Sequence, residues 1–345
     1  FIIQTTKMEE FKTKPVVQNE ESESKHHGKF KLPFKPSAIF RRDEDRGNEA
    51  LRSTREPRYS PDGKSVVFFH RGAFSVFVAD VPEFKNVREL EWNRRSIFEH
   101  EEAEANKHRV GDVCFMWRNS EPLLIICTHG GALSLWDIDT GKIVDTIVNV
   151  HDGPLSDSGY AECVNATENG KFVAVGYDNQ VVRVYDTNKH TLIATLEAGK
   201  HGFVRQLHFS PFYPKLLAVV YGGLLGDRSA VIIWDVEKNR IAHRLSNDKT
   251  LKIPKSVCFS KPDRFLLFIG YSQGPVAAWD FVSDEYSLRF GESTGYEDLR
   301  LSIDTKFLFG YSKETARVWD AQTGECLVTI PCRRSIVSAD MSPSA

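Results

Sequence analysis

The chain has 345 residues, enough to bury a large core, and its 45 basic against 47 acidic residues leave a net charge of −2. That balance excludes the basic character expected of a nucleic-acid or anionic-membrane binder. No apolar run is long enough to cross a bilayer as a helix, and Phe1-Ile2-Ile3 gives way at once to Gln, Thr and Lys, which is no signal-peptide core.

Six cysteines (Cys114, Cys127, Cys163, Cys258, Cys326 and Cys332) are scattered without a CxxC. They read as reduced thiols of an intracellular protein, cytoplasmic or nuclear, with neither a zinc site nor a redox pair. The sequence opens on Phe1 and stops at Ser-Pro-Ser-Ala, as a piece of a longer protein would.

In chain order, residues 1–52 come first and are polar and charged, as in NEESESKHHGK (19–29); they are expected to be mostly disordered. KFKLPFKPSAIF (29–40) offers at best one edge strand, because it carries two prolines. His26-His27 lacks the partners a metal needs. From residue 53 to 345 a pattern repeats. A run ending in a turn (RYSPDGK, 58–64; HFSPFYPK, 208–215; CFSKPDR, 258–264; LSIDTK, 301–306) precedes an apolar run such as KFVAVGY (171–177) or FLLFIGY (265–271). A second β-rich run then ends in an aromatic residue and Asp, as in LSLWD (133–137), VVRVYD (181–186), VIIWD (231–235), VAAWD (276–280) and ARVWD (316–320). Turns such as IDTGK lead to a last strand, for example CLVTI (326–330). Two insertions interrupt this: RRSIFEHEEAEANKHRVG (94–111) and GGLLGDRSA (222–230), both read as tolerated surface segments.

The repeat is most literal in GYDNQVVRVYD (176–186), GYSQGPVAAWD (270–280) and GYSKETARVWD (310–320), read as one β-hairpin copied around a ring. The terminal aspartates, from Asp80 through Asp137, Asp186, Asp235 and Asp280 to Asp320, are separated by 57, 49, 49, 45 and 40 residues. Four of the six tryptophans hold the aromatic place. A period approaching 40–45 residues is the length of one four-stranded propeller blade.

On these residues the chain resembles the WD-repeat β-propeller family, over about residues 53–345. The resemblance implies an all-β fold of four-stranded antiparallel blades, six complete plus an incomplete seventh truncated within its last blade. That seventh blade begins at RRSIVSADMSPSA (333–345), where Met-Ser-Pro matches Phe-Ser-Pro. The family's Gly-His is poorly kept, and Gly130, Asn179, Gln273 and Lys313 stand where its turn Asp is expected. The family's hydrogen-bonded tetrad should therefore be missing from most blades, leaving stability to apolar packing between sheets. The aromatic residues should be buried there, and each Asp should order the turn after it.

No GxSxG, HExxH, Walker loop or dinucleotide fingerprint appears, so the chain reads as a non-enzyme without cofactor or metal. FRRDEDRG (40–47) is similar to the Phe-Arg-Arg-Gly of phosphoinositide-binding propellers. It lies before the first blade and has Asp43 in place of Gly, so lipid binding is not expected. The resemblance implies a protein-interaction scaffold in a larger assembly; the alternative is a regulatory or substrate-recognition propeller domain of a longer enzyme or signalling protein. Contact residues of the family gather where first strands begin, which here gives Arg55, Asp112, Tyr160, Glu162, Phe203, Arg205, Lys255 and Glu297. Tyr160, Phe203 and Arg205 are types that anchor interfaces. Peptide or phosphopeptide capture through Arg55, Arg205 and Lys255 is a third possibility that no motif singles out.

Overall fold

In the computed structural model the described residues are 2–8, 38–42, 56–69, 71–81, 85–90, 107–149, 159–197, 201–222, 229–245, 253–260, 265–291, 295–332 and 336–341. Among them every extended element is a strand. Six sheets have four antiparallel strands each, laid side by side in chain order. Sheet one starts at Glu56–Tyr59, sheet two at Val110–Arg118, sheet three at Ala161–Ala166, sheet four at Phe203–Phe209, sheet five at Pro254–Phe259 and sheet six at Asp298–Leu301. The sheets form a propeller ring in which these first strands are neighbours about the axis.

The repeated phrase is the hairpin of second and third strands. Phe172 faces Asp186, Leu266 faces Asp280 and Phe307 faces Asp320 across the ladder. In sheets two to six the terminal Asp orders the next turn. Asp320 Oδ1, for example, accepts from the amides of Gln322 and Thr323 at 2.8 Å each, and Asp137, Asp186, Asp235 and Asp280 act in the same way.

The aromatic residue that precedes the terminal Asp in sheets two to six is buried. Trp234 packs on Val182, Val184 and Phe172 of sheet three, Trp279 on Val220 and Ile233 of sheet four, and Trp319 on Phe268 and Val276 of sheet five. A sheet presents two faces and has only neighbouring sheets to cover them, so repetition around a ring is how this sequence removes apolar surface from water. The family tetrad is absent from these four blades. Trp136 Nε1 donates to Ser134 of its own strand, Trp279 Nε1 donates to Asp284 of the following turn, and the indole N–H groups of Trp234 and Trp319 have no acceptor.

A further sheet has three strands: Ile2–Met8 lies between Ala38–Arg42, to which it is parallel, and Ile336–Asp340, to which it is antiparallel. Ile336, Ala339 and Met341 pack on Phe309, Tyr311 and Val318 of sheet six. Ala38–Arg42, at the edge of this sheet, overlaps the end of the stretch 29–40 in which an edge strand is expected, whereas Ile2–Met8 is not expected from the sequence. Residues 29–37, most of the remaining segment 9–52, the insertion at 94–106 and the loop 223–228 lie outside the described residues.

Candidate functional site

A strand nearest the axis of a ring has no fifth strand beside it, so its outward amides need other acceptors. Side chains from the neighbouring sheet supply them. Asp112 Oδ2 accepts from Val164 N (3.0 Å), Asn165 Oδ1 from Phe209 N (2.8 Å), Gln206 Oε1 from Val257 N (2.7 Å), Ser256 Oγ from Leu299 N (2.9 Å) and Asp340 Oδ2 from Tyr59 N (2.9 Å). Each bond ties one first strand to the next. Between sheet six and the three-stranded sheet, Arg300 grips Asp298 at 2.8 and 2.9 Å and reaches Asp340 at 3.4 Å. Burial alone would lower the Arg300 guanidinium, but Asp298 and Asp340 hold it above its ordinary range.

These first strands enclose a channel of about 1120 Å³. Near the start of the strand in sheets two to five the register slips by one residue, between Val110 and Asp112, Ala161 and Cys163, Val204 and Gln206, and Pro254 and Ser256. The extra residues are Gly111, Glu162, Arg205 and Lys255. In sheet six Glu297 N and Asp298 both address Tyr311, which puts Glu297 in the corresponding place. A bulge re-aims its side chain, and here the last three bulge side chains and Glu297 line the channel mouth.

At that mouth Glu297 Oε2 is shared by Arg205 Nη2 (3.3 Å) and Lys255 Nζ (3.2 Å), while Arg205 Nε donates to the Lys255 carbonyl (3.2 Å). Phe203 stands beside Arg205, both against the backbone of Gly222. Glu56 is also shared by two cations, with Oε2 on Arg58 Nη2 (3.1 Å) and Oε1 on Arg71 Nε (3.0 Å), and Arg71 Nη1 donates to the Glu162 carbonyl (3.0 Å). Burial would raise the Glu56 carboxyl, but Arg71 and Arg58 hold it below the usual range. Burial pushes the Glu162 carboxyl up against the pull of Arg71.

Of the eight residues chosen by sequence, Asp112, Glu162, Phe203, Arg205, Lys255 and Glu297 all line this channel. Arg55 lies outside the described residues. Tyr160 is half-exposed and sits apart from the channel wall, with its ring 5.5 Å from that of His129. Asp112 is 5% exposed, so it does not stand on the rim. It is one residue too far along: the bulge in sheet two falls on Gly111, where an added Cβ would lie 2.4 Å from the Ala161 carbonyl oxygen, so no side chain fits. Burial raises the Asp112 carboxyl, opposed by Arg71 and Arg58, and its Oδ1 has no hydrogen-bond partner.

Sequence reasoning missed Glu56, Arg58, Arg71, Asp298, Arg300 and Asp340. The available signal was a polar residue inside an otherwise apolar first strand, as in Asp112, Gln206, Ser256 and Asp340. Arg71 had no such signal, since it reaches the channel from a turn.

Among the described residues no three His, Cys, Asp or Glu side chains are placed to hold a metal, and no helix is long and apolar enough to cross a membrane. Burial raises the thiols of Cys114, Cys127, Cys163 and Cys258, which is the opposite of what a nucleophile needs.

No family model matches the chain. Over 230 residues it is 24% identical to eukaryotic translation initiation factor 3 subunit I of Drosophila erecta and of Drosophila melanogaster, covering 64% of this chain and 67% of each relative. The subunit of Drosophila mojavensis is 25% identical over the same length, 68% of that protein. Together with the six-sheet ring and its Trp-Asp hairpins, these likenesses support a WD-repeat propeller.

Proposed function

We propose that this chain is a non-catalytic interaction scaffold, an intracellular WD-repeat propeller that serves as one subunit of a larger protein assembly. The observation that carries the reading is the channel mouth. Side chains from different sheets, among them Phe203, Arg205, Lys255 and Glu297, converge there on strands that neighbouring sheets bond to one another. A rigid frame presenting aromatic and arginine side chains is what a docking rim requires. The names of the similar proteins describe subunits of a translation initiation factor. We extend that role to this chain as a subunit of a translation assembly acting in the cytoplasm.

Affinity capture from the source cell tests the reading. The wild-type chain should recover stoichiometric protein partners, and the double substitution F203A/R205A should release them while shifting the melting temperature by only a few degrees. Undiminished recovery by that variant would move the docking face elsewhere on the ring.

A further inference from the structure

Charge at the channel mouth does not balance locally. Arg205 and Lys255 share a single oxygen of a single carboxylate, Glu297 Oε2. Arg58 and Arg71 share Glu56 through its two oxygens. One carboxylate neutralises one cation, so the Arg205–Lys255–Glu297 trio keeps one positive charge, whereas Arg71 has Asp112 and Glu162 acting on it besides Glu56. Among the described residues Arg205 bonds through Nε and Nη2 and not through Nη1, and Lys255 Nζ bonds to Glu297 alone. Burial draws the Arg205 guanidinium below its usual range despite Glu297, and repulsion from Arg71, which lines the same channel, adds to this. Of the other carboxylates of the wall, Glu162 and Asp112 act on Arg71, and Asp298 also acts on Arg205, more weakly than Glu297. Asp298 and Asp340 are engaged by Arg300.

We propose that the Arg205–Lys255 side of the channel mouth is a binding site for an oxyanion, a carboxylate or a phosphate, carried by an extended acidic segment of a protein partner. The inference rests on the scaffold reading and specifies what the rim accepts. Two partly exposed cations with unused N–H groups, 30% and 21% exposed, give charge-assisted donors to such a group without stripping them of much water. Phe203 beside them offers apolar surface to the rest of the segment. The channel volume of about 1120 Å³ admits whole side chains. Glu297 acts as a place-holder: it screens the cations when the site is empty and competes with the ligand.

The test uses the 345-residue chain and three fluorescein-labelled Gly-Ser peptides with a central run of Glu, of phosphoserine or of Gln, read by anisotropy. The Glu or the phosphoserine peptide should bind about tenfold or more tightly than the Gln peptide, with affinity falling as salt rises. Whichever arm binds identifies the source of the oxyanion. R205Q/K255Q should lose that preference, whereas K142Q/R240Q, on exposed outer strands, should keep it. If R205Q/K255Q folds poorly, E297Q decides the matter: freeing both cations should tighten binding several-fold. Equal binding of all three peptides, or an E297Q protein that binds no better than wild type, overturns the site. A wild-type chain that prefers the anionic peptides yet captures no cellular protein overturns the scaffold reading alone.

Discussion

Replacing Trp319 by alanine tests whether packing between sheets carries this ring. The indole is fully buried, with the rings of Phe290 and Tyr296 edge-on at 6.4 and 5.3 Å. An added Cβ on Gly310 would meet it at 3.1 Å, so the ring lies directly on the backbone of its own sheet. Removing a buried tryptophan withdraws roughly 150–250 Å² of contact, or about 4–6 kcal/mol at ~25 cal/mol per Å². Part returns, because Nε1 has no acceptor and its burial costs about 1–3 kcal/mol in the wild type. These terms leave about 1–5 kcal/mol, and the cavity left behind adds to the loss, so the net should be about 3–5 kcal/mol. Urea unfolding followed by far-ultraviolet circular dichroism should show the midpoint fall by about 1 M or more. Phenylalanine gives the finer test. W279F sacrifices the 2.9 Å bond to Asp284 and W319F sacrifices none, so W279F should be costlier by about 0.5–1 kcal/mol. An unchanged midpoint for W319A would refute inter-sheet packing as the main support of the fold.

Three further outcomes follow from the channel wall and its surroundings. Asp340→Ala removes both the acceptor for Tyr59 N and a partner of Arg300, and should cost about 2–3 kcal/mol. Asp340→Asn keeps an oxygen for Tyr59 and should cost less, so equal thermal shifts for the two variants would contradict the assignment. His208 is held by burial at a pKa of about 4 against 6.5, with Arg300 adding to the effect. Its neutral form therefore stabilises the fold fully above about pH 6.5, and that contribution, roughly 3 kcal/mol, drains away as pH falls towards 4; H208F should flatten this part of a stability–pH curve. Asp145 is raised by burial but brought below its usual 3.8 by Arg118 and by bonds from Thr146 and His190. Its contribution is present above pH 3.8 and lost as pH drops below that value, so D145N should lose the acid-limb slope that wild type shows there.

The hairpin was legible because its signals are local: an apolar second strand, a short turn and an aromatic-Asp ending fall within one short segment, as in Phe172–Asp186. The burial of Trp234, Trp279 and Trp319 follows from the same pattern, since every blade must hide that face. What escaped was non-local. Tyr59 and Asp340 meet across 281 residues, and Arg71 and Glu162 across 91, and no period in the sequence records which strands become neighbours. Ile2–Met8 escaped for a related reason. IIQTTKM pairs with strands at 38–42 and 336–340, and alone it resembles the start of a polar tail. The slip at Asp112 is instructive, because counting back from a turn assumes a continuous ladder. Each of these first strands carries one extra residue, and in sheet two that residue is the side-chain-free Gly111.

On the proposed scaffold reading, that extra residue separates folding from recognition within each repeat. The Trp-Asp ending and the serine or threonine turns recur because every sheet must bury the same face and close the same loop. The bulge position closes no loop and buries no ring, so the repeats are free to differ there: Gly111, Glu162, Arg205 and Lys255 occupy it in successive sheets. Adjacent strands are bonded to one another just inside the bulge, through Asp112, Gln206 and Ser256, so the differing side chains project from a fixed frame. A surface made this way gains specificity without losing stability, because a change at the bulge alters charge at the mouth and leaves the ladder below intact. The pairing of two cations with one carboxylate at sheets four to six is then a property of sequence variation at a single structural position, which is where a propeller built of near-identical blades can differ from its relatives in what it binds.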